Sequence, residues 1–357
     1  MLREGEITVR LTVQRGQIAS VDVRSTRGPL PARLTRGRRT DEVAQVIPLL
    51  FSVCARAQGA ASSAALEAAD GQMPDFARQA ERSRAVRSEI VIELLTRLLI
   101  DWPRALGLAP EVAAVARLRQ ASAPALQLSC AAAARDHVFG VETESWLATP
   151  TLSALSDWTI HGATLPARVL RQIEREALDL GRSPVRAMPS AEAGTLLGVV
   201  PPLDDEAYAA SPTWHGEPVE TGPLARRAQH ALVEAYSERH GNTVAARFVA
   251  QLVDLALWLG PNEPDTVRAH EVAPGVGLGL AETARGLLLH QAEVRDGRVQ
   301  RYRIVAPTEW NFHADGALRK GLLGRAVADG AAASHDASLL AQALDPCVAF
   351  AVEVSDA

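Results

Sequence analysis

The feature that most constrains the fold is a pair of β-hairpin patterns, one near each end, with a helical middle between them. The segment EITVRLTVQRGQIASVDVR alternates apolar and polar residues and turns at Arg15-Gly16, which predicts strands Ile7–Val13 and Gln17–Arg24. The segment LLLHQAEVRDGRVQRYRIVAP predicts a second hairpin that turns at Asp296-Gly297. Because strands at both ends flank helices, we expect one domain over residues 1–357 whose two termini meet.

The middle of the chain has the apolar spacing of α-helices. This spacing begins near Asp41 and continues to Leu106, with a stop signal at Pro103. The segments GPLPARLTRGRR and Pro201–Pro223 predict loops, since they are rich in proline and glycine. Further helices are predicted around Glu111–Leu118, Ala125–Val138, Pro166–Leu180, Leu224–Glu238, Val244–Leu259 and Ser334–Leu344.

Composition excludes several classes of function. The 357 residues carry a net charge of −5, so electrostatic binding to nucleic acid is not expected. The N-terminal MLREGEITVRLTV lacks the apolar core of a signal peptide, and no run of eighteen apolar residues predicts a membrane span. We therefore expect a cytoplasmic protein with no membrane partner. Its three cysteines cannot build a disulfide framework and should remain thiols.

Two of these cysteines, Cys54 and Cys347, lie far apart in the chain and could form a metal site together. Cys54 begins a helix rich in alanine and serine, and a helix N-terminus lowers the pKa of a thiol and favours the metal-binding thiolate. Cys347 follows Asp-Pro in the apolar segment DPCVAFAVEV. The alternative for each is a buried cysteine that packs as a small hydrophobic residue, which is also our interpretation of Cys130.

Other chemistries lack their motifs. The chain has no C-x-x-C pair and no H-E-x-x-H, so the usual zinc sites are not indicated. It has no G-x-S-x-G elbow for a serine nucleophile. The glycines of PGVGLGLAETARG do not lie in a strand–loop–helix unit, which argues against a dinucleotide-binding fold.

Five segments, in order, resemble the large subunit of nickel-iron hydrogenases. Glu4 and Gly5 match a Glu-Gly pair before the first hairpin. Cys54 in SVCARAQGAASSAALEA matches the second cysteine of R-x-C-G-x-C-x-x-x-H-x-x-A-S, and Cys347 matches the first cysteine of D-P-C-x-x-C-x-x-H. EPVETGPLARRA matches E-x-G-P-L-A-R, and ETARGLLLHQAEVRDGRVQRYRIVAPTEWN matches E-A-P-R-G…H followed by V-P-[ST]-T-W-N. The resemblance implies a helix-rich α+β fold, with a central bundle of long helices and β-hairpins near both termini.

The departures from this family concern its metal ligands. The family holds nickel and iron with four thiolates, but Phe51 and Phe350 replace two of them here, and Gln58 and Glu353 replace two histidines. The resemblance implies that the remaining cysteines occupy one bridging and one terminal position. Because nickel in a thiolate nest depends on several soft ligands, and aromatic rings should fill the vacated space, we expect no nickel and no catalytic centre.

The resemblance also implies a pocket for an iron that carries two cyanides and one carbon monoxide. Arg285 and Thr308 match the arginine and the hydroxyl that donate hydrogen bonds to the cyanides. Pro307 lies beside Thr308, and Ala284 replaces the proline that precedes the arginine. From the residues alone, Arg285 would be a surface residue after a turn and Thr308 a strand-end hydroxyl. We expect the two matched cysteines to lie within reach of one metal ion, and the terminal hairpins to pack near one another.

This pattern is similar to that of the HupK/HoxV-type hydrogenase maturation proteins. The similarity implies a scaffold or carrier that receives an Fe(CN)2(CO) unit from a HypC–HypD-type complex and delivers it to the precursor of the hydrogenase large subunit. Only four residues follow Glu353, so we expect no tail that a protease would remove. We favour a solvated position for Glu353, while Glu4 either reaches the pocket or is exposed. Two alternatives stay open: an interaction protein that tolerates alanine at either cysteine, and a hydrogenase with unusual ligands, ranked last.

Overall fold

The two ends of the chain meet in a three-stranded sheet. The computed structural model describes residues 5–28, 30–72, 75–189, 196 and 198–356. Strand β1 (Glu6–Gln14) pairs antiparallel with β2 (Gln17–Ser25), as the alternation predicted. The C-terminal strand β9 (Ala349–Asp356) pairs parallel with β1, from Glu6 opposite Ala349 to Val13 opposite Asp356. The predicted meeting of the termini is therefore confirmed, through a strand that the sequence did not reveal.

The second predicted hairpin lies in a separate antiparallel sheet. Its strands follow chain order: β5 (Val267–Ala273), β6 (Val276–Thr283), β7 (Gly286–Arg295) and β8 (Arg298–Val305). The predicted turn at Asp296-Gly297 is confirmed, and both residues have positive φ angles, as the tight hairpin turn requires. The two hairpins belong to different sheets and so do not pair with one another, although residues of both contribute to one hydrophobic cluster. Strand β1 pairs with β2 on one side and β9 on the other, and strand β7 pairs with β8 on one side and β6 on the other.

Helices form most of the remaining structure. In the part of the chain that the structure describes, none of them combines the length and hydropathy needed to cross a membrane. Short 3-10 helices cover Ile47–Leu50 and Glu206–Ala209, π-helical segments cover Arg97–Asp101 and Ala134–Phe139, and β3 (Arg186–Ala187) pairs with β4 (Val219–Glu220). The α-helices are α1 (Leu30–Thr35), α2 (Thr40–Val46), α3 (Ala55–Ala69), α4 (Phe76–Thr96), α5 (Trp102–Ala105), α6 (Val112–Gln120), α7 (Ala123–Ala133), α8 (Thr143–Leu147), α9 (Leu152–His161), α10 (Leu165–Ala177), α11 (Pro223–Arg226), α12 (Ala231–His240), α13 (Val244–Leu259), α14 (Pro307–Asn311), α15 (Ala317–Leu322) and α16 (Gly330–Leu344).

Helix α13 lies at the centre of a helical bundle and has the predicted bounds. Nearly all of its residues are buried, and it packs against α4, α10 and α16. The predicted helix Leu224–Glu238 is interrupted between α11 and α12. Here Arg226 and Arg227 both donate to the buried carboxylate of Asp254, at 2.6 and 2.7 Å. Adjacent residues of one α-helix face different directions, so this shared partner favours a break. The helix-rich α+β prediction is confirmed, and the predicted loop GPLPARLTRGRR contains helix α1.

Helix α3 lies unusually close to strand β6, and this contact fixes the start of the helix. A Cβ atom added at Gly277 or Gly279 would lie only 2.0 Å from the carbonyl oxygen of Ala65 or Ala61, respectively. Glycine is thus required on β6 because the backbone of α3 occupies the space of a side chain. These glycines serve helix–sheet packing, in agreement with our rejection of a dinucleotide-binding fold. Cys54 immediately precedes α3, so the same packing positions its thiol.

Candidate functional site

Cys54 is a buried thiol at the N-cap of helix α3. Its backbone is left-handed (φ 59°), and its sulfur accepts a hydrogen bond from Nη1 of Arg285 at 3.4 Å. Burial raises the pKa of Cys54 to about 12, although Arg285 acts in the opposite direction. The expectation that the helix terminus lowers this pKa is therefore wrong. The carboxylate of Glu89 accepts hydrogen bonds from the N–H groups of Arg56 and Ala57, at 2.9 and 3.0 Å, so a negative charge already occupies the helix terminus.

Arg285 is a buried cation that joins several parts of the site. It lies in the turn between β6 and β7, directly after the buried Ala284, and is not the surface residue that its turn position alone suggested. Besides binding Cys54, its Nη2 donates to Glu93 at 3.2 Å, and its Nε lies 3.2 Å from Oδ1 of Asp345. Burial lowers the pKa of Arg285, but Asp345, Cys54 and Glu93 outweigh burial and raise it, so the guanidinium stays charged.

Cys347 is a partly exposed thiol surrounded by hydrogen-bond donors. Its sulfur accepts from Oγ1 of Thr308 at 3.1 Å and from Nη2 of Arg27 at 3.0 Å. Its own N–H group donates to the Thr308 hydroxyl at 3.2 Å. Thr308 is buried in the first turn of α14, where Pro307 occupies the N-terminal position. Thr308 therefore belongs to a short helix and is not a strand-end hydroxyl.

The two thiols belong to one electrostatic site. Asp345 ends helix α16 in a left-handed conformation two residues before Cys347, and it pairs with the same Arg285 that binds Cys54. Cys347 also contributes to raising the pKa values of Cys54 and Arg285. Four residues of the predicted site therefore lie in one region: Cys54 and Arg285 contact one another, and so do Thr308 and Cys347. No group of three or more His, Cys, Asp or Glu side chains in the described residues forms a metal site, so metal binding stays a prediction.

Two buried polar atoms beside the thiols lack hydrogen-bond partners among the residues that the structure describes. They are Nε of Arg285 and Oδ1 of Asp345, which attract one another at 3.2 Å but do not have hydrogen-bond geometry. Nε of Arg97 lies 3.3 Å from the same oxygen and is also without a hydrogen bond. Both Arg285 and Asp345 line a small cavity of about 10 Å³, which has room for about one water molecule. The site therefore has unused hydrogen-bonding capacity.

Sequence reasoning missed most of the charged residues around the thiols, because no motif marks them. Arg27 could have been found from its position just after the first hairpin, since the meeting of the termini brings that segment beside Cys347. Glu89 and Glu93 lie four residues apart on α4 and therefore project from one face of the helix toward Cys54 and Arg285. Their role depends on tertiary packing, which a single sequence does not show.

Gln58, which replaces a histidine of the resembling family, belongs to a buried hydrogen-bonded chain. Its Oε1 contacts Nε2 of His290 at 2.9 Å, and Nδ1 of His290 contacts the hydroxyl of Tyr302 at 2.7 Å. The Tyr302 hydroxyl in turn lies 2.8 Å from Oγ of Ser62. Burial lowers the pKa of His290 to about 3, so this chain is neutral. Gln58 therefore links helix α3 to the four-stranded sheet.

The other replaced positions lie in different surroundings. Glu353 is exposed on β9 and forms an ion pair with Arg10 at 2.7 Å, which agrees with a solvated position. Glu4 lies outside the described residues. Phe51 packs with the cluster around helix α2, which does not include Cys54, and Phe350 lines an open cavity of about 220 Å³ beside helix α16. Both rings therefore have packing partners, and Phe350 also packs against the cluster that contains Cys54. Neither ring can bind a metal, and their filling of vacated ligand space stays a prediction.

Comparisons with known proteins relate the chain to hydrogenases and to hydrogenase expression/formation proteins. A family model described as nickel-dependent hydrogenase matches residues 251–353. The chain is 36% identical to the hydrogenase expression/formation protein HupK of Azotobacter vinelandii, over 98% of each protein. It is 31% identical to the hydrogenase expression/formation protein HoxV of Cupriavidus necator, over 100% of this chain and 98% of the relative.

Solved structures support the fold alone. The Ni-Fe-Se hydrogenase from D. vulgaris Hildenborough, in its as-isolated oxidized state, superposes with a TM-score of 0.61 at 16% sequence identity. The alignment covers 94% of this chain and 94% of that chain. At this level of identity the overall architecture is shared, while the residues around the two thiols need their own explanation.

Proposed function

Because the chain belongs to the HupK/HoxV family of hydrogenase expression/formation proteins, we propose that it serves hydrogenase maturation as a scaffold or carrier for an Fe(CN)2(CO) unit. In this proposal the iron unit is cargo. It comes from a HypC–HypD-type complex and goes to the precursor of the hydrogenase large subunit. The observation that carries the proposal is that Arg285 joins the surroundings of two cysteines far apart in sequence: it donates to the Cys54 sulfur and pairs with Asp345, two residues before Cys347.

The residues present fit such a cargo chemically. Thiolates are soft ligands that suit iron, and Cys54 and Cys347 would provide two of them, with the thiol protons released to solvent as iron binds. The N–H groups of Arg285 and the hydroxyl of Thr308 are donors, as cyanide nitrogen atoms require, and they now bind the two sulfurs. On loading, the two sulfur atoms would donate electron pairs to iron. The N–H groups of Arg285 and the hydroxyl of Thr308 would then be available to donate hydrogen bonds to cyanide. Nε of Arg285 faces Oδ1 of Asp345 at 3.2 Å, so this ion pair orients the guanidinium while its Nη1 faces Cys54.

We further propose that the protein has no catalytic nickel site and is not itself a hydrogenase. Nickel bound by thiolates needs several soft ligands, and phenylalanine occupies two of the four expected positions, Phe51 and Phe350. The remaining pair of sulfurs suits a carrier, because fewer protein ligands hold the cargo less firmly. The competing hypothesis is an interaction protein of hydrogenase assembly in which the cysteines bind no metal.

Infrared spectroscopy distinguishes these hypotheses. We expect protein purified without oxygen, from cells that express the maturation machinery, to show cyanide and carbonyl stretching bands and to contain iron. Cys54→Ala and Cys347→Ala should lose the bands, since each removes one of two ligands. Cys130→Ala is the matched control, because Cys130 is also a buried thiol but lies on helix α7 and is not part of the site.

The carrier proposal is wrong if wild-type protein shows no such bands and its iron content is far below one atom per chain. The interaction hypothesis would then gain support if the alanine variants still allowed hydrogenase formation in cells. Bands that persist equally in all three alanine variants would also contradict the proposed ligands.

A further inference from the structure

Among the residues that the structure describes, Arg27 is the charged residue that donates a hydrogen bond to the sulfur of Cys347. Its backbone is held next to the start of β1, because the N–H group of Thr26 donates to the carbonyl of Glu6 at 2.9 Å and the N–H group of Glu6 donates to Oγ1 of Thr26 at 2.9 Å. Gly5 has a φ of +101°, and a Cβ atom at this position would lie 2.9 Å from the backbone nitrogen of Arg27. The first hairpin therefore fixes the point from which the arginine side chain extends.

The guanidinium group of Arg27 is also held in place, by two hydrogen-bond acceptors. Its Nη1 donates to Oε1 of Glu309 at 3.0 Å, while its Nη2 donates to Cys347. The second oxygen of Glu309 accepts from the N–H group of Ala306 at 3.1 Å, which anchors the carboxylate at the start of α14. The side chains of Arg27 and Glu309 are only 18% and 7% exposed. Charge-assisted bonds in such a site are short, strong and directional.

We infer that Arg27 is a positioning residue for the cargo, which holds the sulfur of Cys347 and sets how strongly that sulfur donates electrons to iron. The inference rests on the proposed function, since it requires that iron binds at Cys347. A coordinated thiolate still accepts hydrogen bonds, so Arg27 can keep its contact when the cargo is present. The structure thereby pairs each thiol with its own arginine, Arg285 for Cys54 and Arg27 for Cys347.

The expected consequence is a spectroscopic one. A positive hydrogen-bond donor withdraws electron density from the sulfur, and the iron then has less density to donate into the antibonding orbitals of carbon monoxide. Removing the donor should therefore move the carbonyl band to lower wavenumber. Contacts of this kind around metal ligands also change affinity by about 10–100-fold. A purely structural role, which ties the hairpin to α14, would change stability but not the band position.

The test compares infrared spectra of loaded wild-type protein with those of Arg27→Gln, Arg27→Lys and Arg24→Gln. We expect Arg27→Gln to shift the carbonyl band downward and to lose iron about 10–100-fold faster during dialysis against a chelator. Arg27→Lys keeps the charge and should recover part of the shift. Arg24→Gln is the matched control, because Arg24 lies three residues earlier, on β2, and is exposed and paired with Asp22, so its spectrum should not change.

A second variant separates misfolding from the proposed role. Arg27→Gln leaves Glu309 as a buried, unpaired carboxylate, which destabilises proteins. The double variant Arg27→Gln/Glu309→Gln removes this charge, and we expect it to fold and to show the same downward shift. The inference is overturned if wild-type protein shows the bands and a folded double variant has the same band position and iron retention. Absence of bands from wild-type protein would instead contradict the proposed function itself.

Discussion

Replacing Gly279 with alanine tests whether the contact between helix α3 and strand β6 positions the site. The new Cβ atom would lie 2.0 Å from the carbonyl oxygen of Ala61, whereas ordinary van der Waals contact begins at 3.4 Å. The helix and the strand must therefore separate by about 1.4 Å along this direction. The obstacle is backbone, which cannot rotate away as a long side chain can.

The size of the effect follows from this overlap. Inserting one methyl group into a well-packed interior destabilises a protein by about 1–3 kcal/mol, and more where the neighbours cannot move. We expect a value of about 3 kcal/mol for Gly279→Ala, because the nearest atoms belong to a helix and a sheet. The backbone at Gly279 has no positive φ, so the expected effect arises from packing and not from a forbidden conformation.

Function should change together with stability. Cys54 precedes helix α3, and Arg285 follows strand β6 within two residues. Separating the two elements should lengthen the 3.4 Å contact between Nη1 of Arg285 and the Cys54 sulfur. We therefore expect the folded fraction of the variant to retain less iron cargo than wild-type protein, measured from the infrared bands per chain.

The assay is urea-induced unfolding, monitored by circular dichroism. A matched control is available in helix α3 itself. Gly59 lies in the same helix, where an added Cβ atom would meet Pro48 at 3.4 Å, an ordinary contact. Since alanine is favoured over glycine in helices by about 1 kcal/mol, Gly59→Ala should leave stability unchanged or raise it. The reasoning would be refuted by a Gly279→Ala variant as stable as wild type, or by equal losses in both variants.

Two further predictions concern titration and the C-terminal strand. Because the pKa of Cys54 is raised from its ordinary 9.0 to about 12, native protein at pH 8 should react with iodoacetamide at this thiol far more slowly than unfolded protein, as mass spectrometry can measure. A group with a raised native pKa stabilises the fold fully below its unfolded pKa and loses that effect as the pH rises, so the free energy of unfolding should decrease between about pH 9 and 12. Rapid modification of Cys54 in native protein at pH 8 would contradict this. Glu353→Gln removes only an exposed ion pair with Arg10 and should change the free energy of unfolding by less than about 1 kcal/mol, with unchanged infrared bands. Loss of the bands in this variant would show that Glu353 contacts the cargo.

Local sequence patterns predicted the parts of the fold that local forces determine. The two hairpin turns and helix α13 follow from alternation, turn residues and apolar spacing, and the structure has them where they were predicted. Strand β6 was missed because Gly277 and Gly279 interrupt its alternation, and the reason for these glycines is the backbone of α3, some two hundred residues earlier. Strand β9 was missed because its main support is pairing with β1 at the other end of the chain.

The candidate site shows the same division. The residues that match family motifs, such as Cys54, Cys347 and Arg285, were identified from the sequence through the resemblance. The pKa of Cys54 was predicted in the wrong direction because a helix N-terminus was considered without its neighbours. Glu89, which occupies that terminus, comes from another helix 35 residues away in sequence. Electrostatics of a buried site depends on all charges packed around it, and these are set by the tertiary fold.

The ionic character of the site is consistent with the proposed carrier role. Arg285, Arg97 and Asp345 are all buried, and Nε of both arginines and Oδ1 of Asp345 lack hydrogen bonds among the described residues. Buried ionic groups of this kind are often less stable than apolar residues of similar volume. Under the proposed carrier role these groups have a use, because the buried Arg285 cation beside Cys54 and the Thr308 hydroxyl beside Cys347 suit an anionic, cyanide-bearing cargo.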